Sequence, residues 1–163
     1  MSLVVSDANI FIDIEVGGLT RAMFQLPEVF AVPNTLYEEE LSRHHPDLPI
    51  YGLRILEVRE EYVREASRLS GIYTRAGRND LLALALAKQE QCPLLTGDGE
   101  LRLAAEAERI EVMGTLWLME QLIVKKLITY QLASKAYLRM REAGRRLPWN
   151  DIDEQLERTR KNK

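Results

Sequence analysis

The sequence predicts an α/β protein: a parallel sheet with helices on both faces. Three observations predict it. Short apolar runs of strand character alternate with longer segments of helical period along the whole chain. Two of those runs end abruptly near an aspartate, Val4-Val5-Ser6-Asp7 and Leu94-Leu95-Thr96-Gly97-Asp98. One helical segment, Leu81 to Lys88, is almost entirely apolar, as a helix pressed between a sheet and another layer must be. In such sheets ligands bind in the crevice beyond the carboxyl ends of the strands, so the two aspartates are candidates for function as well as for helix capping.

Taken in order, Leu3 to Ser6 reads as a buried strand and Ala8 to Glu15 as the start of a helix. Gly17-Gly18 breaks the pattern, Leu19 to Leu26 resumes as a short helix, and Pro27 stops it. Glu28 to Val32 is a second strand, with Pro33 suited to the first turn of the helix that follows through Arg43. That helix carries Glu38-Glu39-Glu40, which point in different directions, so at least one lies near the Leu36/Leu41 face. His44 to Pro49 reads as a loop whose two histidines lack metal-binding spacing. Leu53 to Val58 is a third strand and Glu60 to Leu69 a charged amphipathic helix. After breaks at Gly71 and Gly77, Asn79-Asp80 opens the apolar helix. Cys92 to Thr96 and Ile110 to Met113 are strands, separated by the helix Leu101 to Ala107. Leu116 to Leu127 and Tyr130 to Arg141 are helices, Pro148 starts a last one, and Arg158 to Lys163 reads as a frayed basic tail.

The chain of 163 residues suits one domain, 1–163, in which residues from about 128 onward form a helical extension. Hydrophobic residues make up 46% and charged residues 29%, ordinary for a soluble protein. No run approaches the roughly 18 apolar residues of a membrane span, and the N-terminus lacks the basic and apolar regions of a signal peptide. The single cysteine, Cys92, rules out an internal disulfide and makes a reducing cytoplasm the simplest expectation. Cys92, His44 and His45 cannot form a zinc site at the usual spacing, so any metal would be a hard cation held by oxygen. The net charge of −3 hides an asymmetry: residues 139–163 hold eight Arg/Lys against five Asp/Glu, leaving the body acidic. Overall acidity argues against nucleic-acid binding unless a cation neutralises a local acidic site.

Asp7, Asp80 and Asp98, with a glutamate of the 36–43 helix, make such a site. Clustered carboxylates repel unless a cation offsets them, and Mg²⁺ or Mn²⁺ suits an all-oxygen set. Metal-assisted phosphodiester hydrolysis is the matching chemistry. A haloacid-dehalogenase-type phosphatase needs a second aspartate where Asn9 stands, and a dinucleotide-binding fold needs a Gly-rich turn that Asp7-Ala8-Asn9 lacks.

Four stretches, in order, resemble the PIN-domain family of nucleases: Val5-Ser6-Asp7-Ala8-Asn9; Val32-Pro33-Asn34-Thr35-Leu36-Tyr37-Glu38-Glu39-Glu40-Leu41; Asn79-Asp80 with Leu84-Ala85-Leu86-Ala87; and Leu94-Leu95-Thr96-Gly97-Asp98. The resemblance continues through Val112-Met113-Gly114-Thr115-Leu116 and looks closest to the VapC-like ribonuclease toxins of toxin–antitoxin pairs. It implies a PIN-like three-layer fold around a five-stranded parallel sheet, a Mg²⁺- or Mn²⁺-dependent endoribonuclease, and a homodimer held in check by a small antitoxin. It implies Asp7, Asp80 and Asp98 as metal ligands, Thr96 as a hydroxyl supporting Asp7 or Asp98, and Asn9 as a polar neighbour. For the remaining acid, counting from Pro33 and Leu36 favours Glu39, while a glutamate directly before a leucine favours Glu40; Glu39 is taken, with Glu40 as the alternative. Arg75, Arg78 and Arg102 are candidates for phosphate contact, against the plainer reading of surface arginines. The rival function is a PIN-fold binding or scaffolding subunit whose metal site is weak.

Overall fold

The computed structural model describes residues 2–162. Five parallel strands stand in the order β3-β2-β1-β4-β5: β1 Leu3–Ser6, β2 Val29–Pro33, β3 Arg54–Leu56, β4 Leu94–Leu95 and β5 Val112–Met113. β1 lies at the centre, with Val4 opposite Phe30 on one side and Ser6 opposite Leu95 on the other. Helices α5 (Glu60–Ile72), α6 (Arg78–Glu90) and α7 (Gly99–Ala107) pack together, with α6 against β1, β2 and β4. A second group comprises α1 (Ala8–Val16), α2 (Thr20–Met23), α8 (Thr115–Val124), α9 (Tyr130–Glu142) and α10 (Trp149–Lys161). This is the three-layer α/β arrangement of a PIN-like fold, with C-terminal helices packed on the body. One cluster of buried side chains runs from Val4 to Ile152.

The sequence pattern explains α6 directly: Leu81 to Ala87 are all buried, because the helix meets the sheet on one side and α5 on another. α9 comes close to the end of α1 at Gly17, where a Cβ would stand 2.8 Å from Met140 Cε and 3.0 Å from Ala136 Cβ. Gly17 is therefore a contact as well as a break, and Gly18, at φ +75°, makes the turn. The apolar side chains Leu116, Met119, Leu122 and Ile123 of α8 pack inside the chain: Met119 and Leu122 are fully buried and Leu116 and Ile123 half-buried.

Several elements differ from the sequence reading. The segment expected to be a loop contains a one-turn helix, α4 Leu48–Tyr51, with proline in its first turn and Leu48 buried. The helix after β2 is split: a turn at Asn34–Leu36 (α3) passes into a π-helical turn, Tyr37–Leu41, in which the Ser42 N–H donates to the Tyr37 carbonyl at 2.8 Å. The end of the chain is not frayed up to Lys161. Arg160 pairs with Glu157 at 2.5 Å and basic residues complement the dipole of the last turn. Lys163 lies outside the described residues.

Candidate active site

The sheet order places a topological switch point between β1 and β4, since the chain leaves β1 toward β2 on one side and later returns to β4 on the other. Two expected aspartates follow these strands. The ladder runs on past the strand ends: Asp7 N–H donates to the Leu95 carbonyl at 3.1 Å and Thr96 N–H to the Met113 carbonyl at 2.8 Å. Asp7 and Thr96 are thereby held side by side.

Asp7 is 1% exposed. Its Oδ1 caps α1 by accepting the Ile10 N–H at 3.1 Å, and its Oδ2 accepts the Thr96 hydroxyl. The Thr96 oxygen also accepts the Asp98 N–H at 3.0 Å, so one hydroxyl links both aspartates. Asp98 caps α7 through Oδ1 alone, which accepts the N–H groups of Glu100 at 2.8 Å and Leu101 at 3.2 Å. Among the described residues its other oxygen has no hydrogen-bond partner. Asp80 sits in the first turn of α6, where the Gly77 N–H donates to it.

These carboxylates feel one another. Burial pushes Asp7 up to about 7, and the charges of Asp80 and Asp13 add to the effect, against the hydrogen bonds from Thr96 and Ile10. Burial likewise raises Asp80 to about 6, helped by the charges of Asp98 and Glu40. Of the two candidate glutamates, Glu40 therefore acts on the cluster. Glu39 is engaged elsewhere, accepting from Asn79 Nδ2 at 3.1 Å and standing 3.7 Å from Arg78 Nη1. The π turn explains why counting along a regular helix separates these two poorly, because it inserts an extra residue into the turn.

A residue pair outside the sequence-derived set closes the other wall. Asp13, 5% exposed, accepts from Arg145 Nε at 2.5 Å and from the Thr115 hydroxyl at 3.5 Å. Arg145 Nη2 also donates to Asn9 Oδ1 at 3.1 Å. A cavity of about 430 Å³ is lined by Asn9, Asp13, Asp98, Arg145 and Arg146, among others. The hint in the sequence was Asp13 itself, a lone charge inside the apolar run Ile10-Phe11-Ile12-Asp13-Ile14; nothing marked Arg145. Of the expected arginines, Arg75 stands 3.9 Å from Glu100, Arg78 lies near Glu39, and Arg102 has no ion pair among the described residues.

The donor set suits a hard divalent cation in kind: all oxygen, mutually repelling, with an unpartnered oxygen on Asp98. Among the described residues, no group of three acidic, histidine or cysteine side chains forms a ready-made metal cage. The fold and this acidic switch point define the class, and comparison agrees: the family model DUF3368, a PIN domain, matches residues 3–161. The chain belongs to the PIN-domain family, whose members are generally nucleases that typically use divalent metals. Comparison with curated proteins gives no match. Among the described residues no helix is long and apolar enough to cross a membrane.

Proposed function

We propose that the protein is a Mg²⁺- or Mn²⁺-dependent endoribonuclease, the VapC-like toxin of a toxin–antitoxin pair. The observation that carries the hydrolytic part is that Asp80 lies within charge reach of Asp7 on one side and of Asp98 and Glu40 on the other, and that burial and like charge hold Asp7 and Asp80 far above their ordinary range. Like charges buried together cost stability unless a cation offsets them, so the arrangement points to use.

In this reading Asp7, Asp80 and Asp98 hold the cation, with Glu40 as the fourth carboxylate and Glu39 as the alternative. When bound, the cation supplies an activated water and neutralises charge growing on the phosphate. The rest falls to the chain's own groups. Thr96 fixes the rotation of Asp7 and ties it to the Asp98 backbone. Arg145 holds Asp13 and Asn9 in place at the rim. Three helix N-termini face the crevice and favour negative charge there.

The RNA preference, the antitoxin and the homodimer rest on the resemblance to the toxins. Exposed Val124, Leu132 and Leu138 offer apolar surface that a partner could cover. Cleavage of a fluorescent RNA oligomer with Mg²⁺ or Mn²⁺, abolished by EDTA, is the test. Cleavage that survives full chelation, or none with either cation, would overturn the reading. The latter result would leave a PIN-fold binding subunit.

A further inference from the structure

Beside the acidic crevice lies a larger cavity of about 920 Å³, formed where the α9–α10 loop and the start of α10 lean over β5 and α8. Its lining combines Met113, Leu147, Trp117 and Trp149 with Arg102 and Arg146. Gly97, Arg145 and Arg146 also line the smaller cavity that Asp98 faces, so the two spaces adjoin. Three arginines oppose one acid, Asp151, on this lining, and Arg145 is already engaged by Asp13.

Arg102 is the unusual group. It is half-buried and, among the described residues, its guanidinium has no ion pair or hydrogen bond. It lies against Gly114, where a Cβ would stand 3.1 Å from its Nη2. A half-buried guanidinium left unpaired is costly unless an anion meets it. Arg146 is exposed and equally unpaired. One wall is aromatic. Arg141 lies over the Trp149 ring at 4.4 Å and Tyr137 meets its edge, whereas Trp117 has no ring or cation partner among the described residues.

We propose that this cavity binds a nucleotide of single-stranded RNA beside the cleaved bond, its base stacked on Trp117 and its phosphate held by Arg102 and Arg146. A flat apolar wall next to unpaired guanidinium groups is what an unstacked nucleotide requires. The identity of the strand rests on the nuclease reading; the binding itself does not require cleavage.

The chain has two tryptophans, and both line this cavity, so intrinsic fluorescence reports its occupancy. The experiment titrates the full chain in EDTA with a short single-stranded RNA oligomer, at several salt concentrations, with cleavage in Mn²⁺ followed in parallel. A saturable fluorescence change is expected. Arg102→Gln and Arg146→Gln should each weaken binding about fivefold or more and lower the salt dependence by about one phosphate contact. Arg146 is exposed and unpaired, so its variant keeps the fold and the test stands even if Arg102→Gln does not. Cleavage without a fluorescence change, or with unaltered salt dependence in Arg146→Gln, would overturn the subsite and leave the nuclease reading intact. Binding with the expected salt dependence but no cleavage supports the subsite and removes the nuclease reading. An equal response to inorganic polyphosphate, which has charge but no base, would overturn the stacking and with it the proposal.

Discussion

Arg145 Nε stands 2.5 Å from Asp13 Oδ1, joining the loop between the last two helices to the first helix across 132 positions of sequence. Asp13 is almost fully buried, and its burial raises its pKa despite the opposing hydrogen bond and charge of Arg145. Removing the guanidinium leaves a buried carboxylate with only the Thr115 hydroxyl. Arg145→Ala should therefore destabilise the fold by about 2 to 4 kcal/mol near neutral pH. Adding Asp13→Asn should recover much of that loss. Urea denaturation of both single variants and the double gives the coupling; additive losses would mean that the pair carries little energy.

Asp7 makes metal-free stability depend on pH. Its folded pKa, about 7, lies above the ordinary value of 3.8, so the folded state binds the extra proton in that interval. Stability is then greatest at the acid side of the interval, falls as the pH rises toward about 7, and levels off above it. Asp80, raised to about 6, acts in the same sense. In EDTA, Asp7→Asn should gain on the wild type by roughly 2 kcal/mol between about pH 5 and about pH 8. Paired thermal melts check this; parallel curves would show that Asp7 ionises without cost.

How much of this was legible depended on how local the cause was. Asp7, Asp80 and Asp98 could be picked out because each opens a helix after an apolar run or a glycine, a pattern written within a few residues. The central strands and the buried α6 were legible for the same reason. Arg145 was not: its role comes from the packing of α9 on α1 at Gly17, which no periodicity records. The π turn was also hidden, since its bonding is a choice among helical forms that the same residues permit. The edge strand β3 is shorter than its apolar run because pairing with β2 ends at Pro33 and Leu56.

A cleavage assay of single variants should separate Glu39 from Glu40. Glu40 faces the charge of Asp80, while Glu39 is held by Asn79 and Arg78. Glu40→Gln should lower cleavage about tenfold or more, with a raised Mn²⁺ requirement, and Glu39→Gln should change it less than about threefold. The reverse order would restore the count from Pro33.

A second ionic cluster should govern acid stability. Glu65 accepts from Arg68 at 2.7 Å and 2.8 Å and from Lys88, while Glu108 accepts from Lys88 at 2.9 Å and from Tyr73 at 2.7 Å. These bonds, Arg68 first, lower Glu65 to about 2. A depressed acid stabilises above its unfolded value, here 4.5, and loses that contribution as the pH falls toward 2. Glu65→Gln should cost about 1 kcal/mol at neutral pH and nothing near pH 2, after discounting for partial exposure. Chemical denaturation at both pH values decides it, and a loss that persists in acid would assign the effect to packing.

Asp98 offers the sharpest separation of capping from catalysis. Its Oδ1 alone satisfies the N–H groups of Glu100 and Leu101. Asparagine keeps that oxygen and caps about as well as aspartate, so Asp98→Asn should melt within about 1 kcal/mol of the wild type. What it loses is the negative charge and the second, unpartnered oxygen. Cleavage should then fall about a hundredfold or more, the consequence of losing roughly 3 kcal/mol of charge stabilisation. Asp98→Ala provides the contrast, because it removes the cap as well and should cost about 1 kcal/mol of stability in addition to activity. If Asp98→Asn cleaves at the wild-type rate with saturating Mn²⁺, Asp98 serves only the helix and the metal centre must be sought among the other carboxylates.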